Sequence, residues 1–598
     1  MAKTSILKAF FEREERPKKD KNANKKEFIT REISGSVTQN LKRMQSSALF
    51  RFTKAVSDLI SHLSTRIYGT AMLCFGLVSA LMYFIGISAD QRVLTPVIGI
   101  LIAGLAIPFL LVDKTLPVFL QDFKPTDYLF FEFFCMKRHS AMETVRSLPV
   151  VIAVLVGVIP ALMSAFIPFW HIALAIVVII CVYIGLTSPE FVFLTSLVAL
   201  PFIRYIPRCE IVFAFTVLLA VASFIRKVIY GKRVFHLENY DILLGVMLVF
   251  VLVSGIFVKG MESFYGSVKM VVFALGYILS SNIIANRRLA ELSQNSIILS
   301  GAVASVISIV QVAYTLVNYG VNTTQDDLSF VLSRQDGVAL FLMAAMVFSA
   351  GMINQTSKPM RGLVSTSAIL CLFALIISGE FLAITSLILA ACAYLIIRLN
   401  RAPALLLPIL LVVSVAVLLL PDSVLNIIFT YSPSVISASD LFDLWNKSIT
   451  LMSNHIAIGI GIGAESFVEE MAALGIVGHS DSSNLFIELG LEAGVLAPLC
   501  FIIILISRIK HRSMQHLYIR NSQLERVSNL SGACLLGFIA FGMVNYIWSD
   551  MSAYYLFWCI FGIGSATMRV AKRDYDDRVI YYEESSAFDS SVIDIEIG

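Results

Sequence analysis

The chain has 598 residues, of which 57% are apolar and 15% are charged, with 46 Lys+Arg against 42 Asp+Glu. Soluble proteins have about 25% charged and about 45–50% apolar residues, so this composition excludes a water-soluble multidomain enzyme, a disordered scaffold and a disulfide-stapled secreted module. Lipid is therefore the expected solvent for most of the chain.

The charges are sorted along the chain. Residues 1–66 hold 15 basic and 7 acidic residues, residues 569–598 hold 4 basic and 8 acidic residues, and the body between them has 27 of each sign. We interpret 1–66 as a cytoplasmic basic arm that ends in an interfacial amphipathic helix over 47–66, since such helices bind anionic membrane surfaces. The acidic segment 569–598 is interpreted as a mobile cytoplasmic tail that docks a cytoplasmic protein or the basic arm. Nucleic acid is not an expected partner, because few aromatic residues interleave with the basic ones.

Apolar runs near the length of about 20 residues that crosses a bilayer predict an all-α polytopic membrane protein with about 16 transmembrane helices (14–16). The predicted spans are 68–87, 93–112, 148–167, 169–186, 190–203, 209–225, 241–258, 267–285, 296–318, 337–354, 362–378, 381–397, 403–420, 484–506, 528–548 and 551–568. With both termini cytoplasmic, the inner loops hold 20 of the body's 27 basic residues, as the positive-inside rule requires.

These spans predict a domain order. Residues 67–147 form a two-helix hairpin with an interfacial loop, and residues 148–568 form the main membrane domain, which contains one large outer loop over 421–483. A long loop with its own helices is usually functional, although a lid that only covers helix ends is an alternative. No ligand spacing typical of a metal site occurs, and no cofactor is expected.

The outer loop carries the most specific pattern in the chain. A predicted helix in SASDLFDLWNKSITLMSNH (437–455) has an apolar stripe over Leu441, Leu444, Trp445, Ile449 and Leu451. The run GIGIG (459–463) allows a tight turn before a second short helix at 464–474. The segment HSDSSNLFIELGLEAG (479–494) then enters the fourteenth span with two intramembrane carboxylates, which are costly unless they are used or paired.

This order of L-W helix, G-I-G-I-G run, histidine and S-N-L-F-I-E-L-G-L-E-A-G resembles the signature loop of the O-antigen ligase/polymerase family. The local similarity covers about 441–496, and the arrangement of spans extends it to about 148–568. The family usually has an arginine before the L-W helix and a Ser-Arg pair upstream, where this chain has Ala438-Ser439-Asp440 and Ser378-Gly379-Glu380.

The resemblance implies a glycosyltransferase in the bacterial cytoplasmic (inner) membrane that acts outside the cytoplasm in envelope polysaccharide assembly. Its implied partners are membrane lipids, a polyprenyl-diphosphate-linked glycan and an acceptor glycan or lipid with a free hydroxyl.

Transfer from such a carrier needs a base for the acceptor and positive charge for the leaving diphosphate. His479 is the predicted catalytic base, with Asp481 beside it to orient the ring. Asp481, Asn484, Glu488 and Glu492 are the predicted supporting residues. The predicted diphosphate-binding residues are Arg204, Arg208, Arg334 and Lys269, which belong to the seven basic residues on the predicted outer surface. Glu262 is a candidate partner for Lys269, and Asp336 for Arg334.

Two other functions stay open at this point. A lipid-linked oligosaccharide flippase or transporter would place charged residues through the middle of spans, where Glu492 is the main example. A non-catalytic relative that organises an envelope-assembly complex would explain the missing family arginines.

Overall fold

The structure, a computed structural model, describes most of the chain outside the arm and several connections. The described residues are 31–34, 62–86, 94–128, 149–167, 188–205, 209–229, 234–258, 260–319, 336–353, 358–398, 438–475, 478–515 and 523–593, with the isolated residues 60, 131, 145, 172, 182, 185 and 332. Outside this set lie the predicted span 403–420, the predicted span 169–186 except residues 172, 182 and 185, and residues 47–59 and 61 of the predicted interfacial helix 47–66.

Helices dominate the described residues. In chain order they are α1 Thr65–Phe84, α2 Leu94–Leu111, α3 Leu116–Asp122, α4 Lys124–Thr126, α5 Val150–Leu162, α6 Pro189–Ala199, α7 Cys209–Ile229, α8 Asn239–Phe257, α9 Met261–Ile283, α10 Arg287–Tyr319, α11 Asp336–Met352, α12 Lys358–Ser378, α13 Phe381–Arg398, α14 Ala438–Asn454, α15 Ala464–Ala473, α16 Leu485–Ala493, α17 Leu496–Gln515, α18 Gln523–Gly542 and α19 Met551–Ile593. Short 3-10 turns cover Met163–Ala165, Leu200–Tyr205 and Ile547–Ser549. One small sheet pairs β1 (Arg31–Ser34) with β2 (Val234–Leu237).

Eight of the described helices are long and apolar enough to cross a membrane. These candidate spans are Thr65–Phe84, Glu210–Ile229, Tyr240–Phe257, Met261–Ile283, Arg287–Val317, Arg361–Ser378, Gln523–Gly542 and Met551–Arg573. Five shorter apolar helices accompany them, at Thr95–Leu111, Val150–Ala165, Pro189–Ile203, Asp336–Met352 and Phe381–Ile396. The helical class and a multi-pass membrane protein therefore follow from the structure, whereas the count of sixteen spans stays a prediction.

The chain divides into two compact units. The first comprises Met1–Glu12, Ser34–Val192 and Leu219–Arg233, and the second comprises Arg13–Ile33, Phe193–Leu218 and Val234–Gly598. The predicted boundary at residue 148 does not coincide with this division.

Small residues hold the helical hairpin of the first unit together. Gly76 of α1 lies so close to α2 that an added Cβ would meet the Ala103 backbone nitrogen at 2.8 Å. The start of α1 also contacts the residues that follow α2. Thr65 N–H donates to the carbonyl of Lys114 at 2.9 Å, and the Ser64 hydroxyl donates to Asp113 at 2.6 Å. Close backbone approach of this kind is how helices associate without a hydrophobic driving force in lipid.

The second unit is built around α19. Its span Met551–Arg573 is 89% buried, against 28–67% for the other candidate spans. It packs mainly on α9 and α18, and the Tyr555 and Ser196 hydroxyls hydrogen-bond at 2.9 Å on another side. The core of this unit is therefore one central helix with its neighbours around it.

Several predicted boundaries differ from the observed ones. The predicted span 484–506 is two helices, α16 and α17, because Gly494 has a φ of 81° and interrupts the helical backbone. The predicted inner loop 507–527 begins as the last turns of α17, where Arg508 is only 7% exposed and lies over the Phe561 ring. The predicted mobile tail 569–598 is helical as far as Ile593, because α19 continues past its apolar part.

The contact between α9 and α19 gives a test of the fold. A Cβ at Gly562 would collide with the Ser280 hydroxyl and would lie 2.7 Å from the carbonyl oxygen of Tyr277. We expect Gly562→Ala to lower stability by about 1–3 kcal/mol, as overpacking does, and to lower the melting temperature of the purified protein in detergent. Gly245→Ala is the matched control, since nothing lies within 4 Å of a Cβ there. Equal melting temperatures of the two variants would contradict the close contact between α9 and α19.

Candidate functional site

The candidate site lies in the second unit, where α14, α15, the glycine run 459–463 and α16 share one apolar core. The buried members of this core are Leu444, Leu451, Ile460, Phe467, Met471 and Leu491, with Met452 and Ile487 packed against them. The two helices predicted inside the outer loop are thus confirmed as α14 and α15. They form a folded platform with α16.

Within the platform, the glycine run approaches α16 closely. Gly459, with a φ of 78°, lies where an added Cβ would be 2.6 Å from the Glu492 carbonyl oxygen. Ile460 N–H donates to the carbonyl of Leu491 at 2.7 Å. Ile462 N–H donates to the hydroxyl of Ser263, at the start of α9, at 2.8 Å. The alternation of glycine and isoleucine therefore supplies positive φ angles and close approach at one position and apolar contacts at the next.

Asn484 caps α16. Its side-chain oxygen accepts from the N–H groups of Phe486 and Ile487 at 3.0 and 3.2 Å, which satisfies two donors that a helix start leaves open. Its amide nitrogen donates to the carbonyl of Met543 at 2.8 Å. The role of Asn484 is thus to fix α16 against the segment that follows α18.

Two buried carboxyl groups lie one turn apart on α16. Glu488 is 2% exposed and accepts from Ser482 N–H at 2.7 Å. Glu492 is 4% exposed and accepts from the Tyr546 hydroxyl and from the backbone N–H of Gly463. These contacts tie three separate segments to one helix.

Burial changes the acidity of both groups. The helix α16 has nine residues and is not one of the candidate spans. Burial, with the neighbouring charge of Glu492, raises the pKa of Glu488 well above its usual range. Burial likewise raises the pKa of Glu492 to about 8, although the bonds from Tyr546 and Gly463 favour the ionised form. Protons on this pair therefore stabilise the fold near neutral pH.

His479 lies on the segment between α15 and α16 and is partly buried. Among the described residues, the carboxylate of Asp481 accepts from Ser480 and Ser483, at 3.2 Å and 2.9 Å. The structure therefore shows Asp481 bonded to these two serines, and its role in orienting the His479 ring stays a prediction. Ser483, at a φ of 52°, completes this tight turn into α16.

The structure describes one of the four predicted diphosphate-binding side chains. Arg208 and Arg334 lie outside the described residues, and Arg204 is described only as part of the 3-10 turn Leu200–Tyr205. Lys269 forms an ion pair with Glu210 at 2.5 Å. Its partner is thus on α7, not the expected Glu262, since the α7 residue reaches the ammonium group across the helix contact.

Three contact residues of this site were not predicted from the sequence. Tyr546 binds Glu492, Ser263 binds the glycine run, and the Ser254 hydroxyl donates to the Glu492 carbonyl. All three stand in or beside apolar runs that read as membrane spans. Nothing in their local sequence distinguishes them from ordinary span residues.

The part of the chain that contains the platform also matches a known family model. Residues 366–502 match the family model described as O-antigen ligase. This segment is O-antigen ligase-like. The match covers α14, α15, the glycine run and α16, which are the elements on which the resemblance was based. Among curated proteins, none matches the chain.

The buried carboxyl of Glu492 predicts a pH dependence of stability. Because its pKa is raised from about 4.5 to about 8, the folded protein holds a proton that the unfolded chain releases between these values, so the free energy of unfolding falls as pH rises through this window. We expect Glu492→Gln to reduce the loss of melting temperature between pH 5 and pH 9 by at least about 2 °C.

The control is Glu469→Gln, which changes an exposed glutamate of α15. It should reproduce the pH profile of the unchanged protein. If Glu492→Gln also followed that profile, the carboxyl would be ionised throughout.

Proposed function

We propose that this protein transfers or polymerises a glycan from a polyprenyl-diphosphate carrier onto an acceptor hydroxyl, at the extracytoplasmic face of the bacterial cytoplasmic membrane, with both termini in the cytoplasm. The observation that carries this proposal is the overlap of the O-antigen ligase match over 366–502 with the folded platform of α14, α15 and α16, which contains two buried carboxyl groups. Cell-envelope polysaccharide assembly is the process such a reaction serves.

His479 is the proposed base. A positioned histidine can take the proton of an acceptor hydroxyl, and His479 lies on a segment whose neighbours are fixed: Ser482 by Glu488, and Asn484 by the helix that it caps. In the proposed step, the acceptor oxygen bonds to the anomeric carbon while the bond from that carbon to the phosphate oxygen breaks. The acceptor proton goes to His479, and the diphosphate leaves with the electron pair, which inverts the configuration of the sugar.

Arg204, Arg208 and Arg334 are the proposed diphosphate-binding residues. The leaving group needs positive charge near it. The platform supplies little positive charge, since α15 presents the carboxylates of Glu465 and Glu469 to solvent. The charge of Lys269 is already offset by Glu210. We therefore assign Lys269 a smaller part than the arginines.

Glu488 and Glu492 support the site by holding its frame in this proposal. Their hydrogen-bond partners are Ser482, Gly463 and Tyr546, so they act on substrate through the position of the segment that carries His479. The same buried carboxyls favour a second candidate function, a proton-coupled flippase or transporter for the lipid-linked glycan, because buried carboxyls that bind protons are typical of such relays.

Replacement of His479 tests the proposed base. We expect His479→Ala to reduce glycan transfer in proteoliposomes supplied with a polyprenyl-diphosphate glycan by about 10²–10⁴-fold, the contribution of a positioned base. Transfer is measured as the shift of the acceptor glycan on a gel.

His455→Ala is the matched control, since His455 lies on the same platform in the turn after α14. It should leave transfer unchanged. Full transfer by His479→Ala would remove this residue from the mechanism, and movement of the carrier glycan across the membrane without any transfer would favour the flippase.

Neutral replacements test the diphosphate site. We expect Arg204→Gln, Arg208→Gln and Arg334→Gln each to lower transfer by about 10²-fold or more, as loss of a charge-stabilising group does. Lys269→Gln should have a smaller effect, because its charge is shared with Glu210. Greater loss from Lys269→Gln than from all three arginine variants would reverse this assignment.

A further inference from the structure

The helix α14 has two apolar faces, of which the platform uses one. The buried residues Leu441, Leu444, Ser448 and Leu451 occupy one stripe. Phe442 and Ile449 are 61% and 46% exposed. At about 100° per residue, these two fall with Trp445 in a second stripe directly beside the first. The polar residues Asp443, Asn446 and Thr450 lie on the far side.

The exposed stripe begins with an aromatic pair, in which Phe442 is exposed and Trp445 is half-buried. The rings of Phe442 and Trp445 meet edge to face at 5.6 Å between centroids. Aromatic side chains of this kind concentrate where a membrane meets water. The far side of the helix is hydrated instead, with an ion pair between Lys447 and Asp443 at 3.0 Å. One side of the exposed surface is thus apolar and the other charged.

The exposed stripe is continuous with the outward surface of α17. Ile456, in the turn after α14, is 58% exposed, and its carbonyl accepts from Val495 N–H at 3.0 Å. Directly after Val495, the outward residues Leu496, Leu499 and Ile503 are each 47% exposed. In a multi-pass membrane protein, an apolar outward surface of this kind faces acyl chains.

We propose that α14 is a membrane-interface helix whose stripe of Phe442, Trp445 and Ile449 inserts among the acyl chains of the adjacent leaflet. The occupant of this surface is bilayer lipid. The apolar arc suits lipid because it adjoins the exposed apolar residues of α17, and the ion-paired far side suits water. Such a position holds the platform, and with it the segment of His479, at the depth of lipid head groups. The proposal does not depend on the transfer reaction.

Photocrosslinking tests this placement in the full chain. A benzophenone amino acid replaces Phe442 or Ile449, with Leu499 as the positive control and Asp443 and Thr450 as controls on the polar face. Each protein is reconstituted in vesicles of phosphatidylethanolamine and phosphatidylglycerol that carry an alkyne-tagged acyl chain. Size-exclusion chromatography before irradiation selects folded protein. Phe442, Asp443, Ile449 and Thr450 are all exposed residues of α14, so their replacement should not disturb the core.

We expect tagged-lipid adducts at Phe442 and Ile449 with a yield near that of Leu499. The yield at Asp443 and Thr450 should be at least about tenfold lower, because only one side of an interfacial helix reaches the acyl chains. Absence of lipid adducts at Phe442 and Ile449, equal yields on both sides of the helix, or adducts to a second copy of the chain would each overturn the proposal. None of these readouts needs an active enzyme.

Discussion

A buried carboxyl group can persist in a protein interior only if other groups donate hydrogen bonds to it or a proton neutralises it. Glu492 meets both conditions: the Tyr546 hydroxyl and the Gly463 N–H donate to it, and burial raises its pKa to about 8. The donors come from segments that are far apart in the chain. Loss of this centre would remove one hydrogen bond between α16 and the glycine run and one between α16 and the segment after α18.

The same constraint explains the local conformation of the site. The glycine run must approach the end of α16 closely enough for backbone hydrogen bonds, and a side chain at Gly459 would prevent this. Asn484 begins α16 and also binds the carbonyl of Met543. The loop that carries His479 is thus anchored by a satisfied polar network, which rigidifies a site in a medium of low dielectric constant. The proposed transfer reaction uses that rigidity to place a base.

Much of this architecture could be predicted from local patterns. The helices α14 and α15 were predicted because their apolar periodicity and the intervening glycines depend only on neighbouring residues. The predicted span 484–506 was wrong, because a single apolar run does not reveal that Gly494 takes a positive φ where it meets the turn after α14. The predicted apolar stripe of α14 divides in the structure: Leu441, Leu444 and Leu451 are buried, whereas Ile449 is exposed. Periodicity finds an apolar arc but not which part of it meets protein and which meets lipid.

The sequence by itself determined the apolar character of this protein, its helical class and the positions of α14, α15 and the glycine run, since hydropathy and short-range spacing depend on composition and on neighbouring residues alone. Only the tertiary structure decided the partners of the charged groups. Lys269 pairs with Glu210, and Glu492 accepts from Tyr546. The physical reason is that these contacts join residues from separate segments, and their distances depend on how the helices pack. The Asp481 contacts are different, because Ser480 and Ser483 belong to the same loop and its local conformation brings them together.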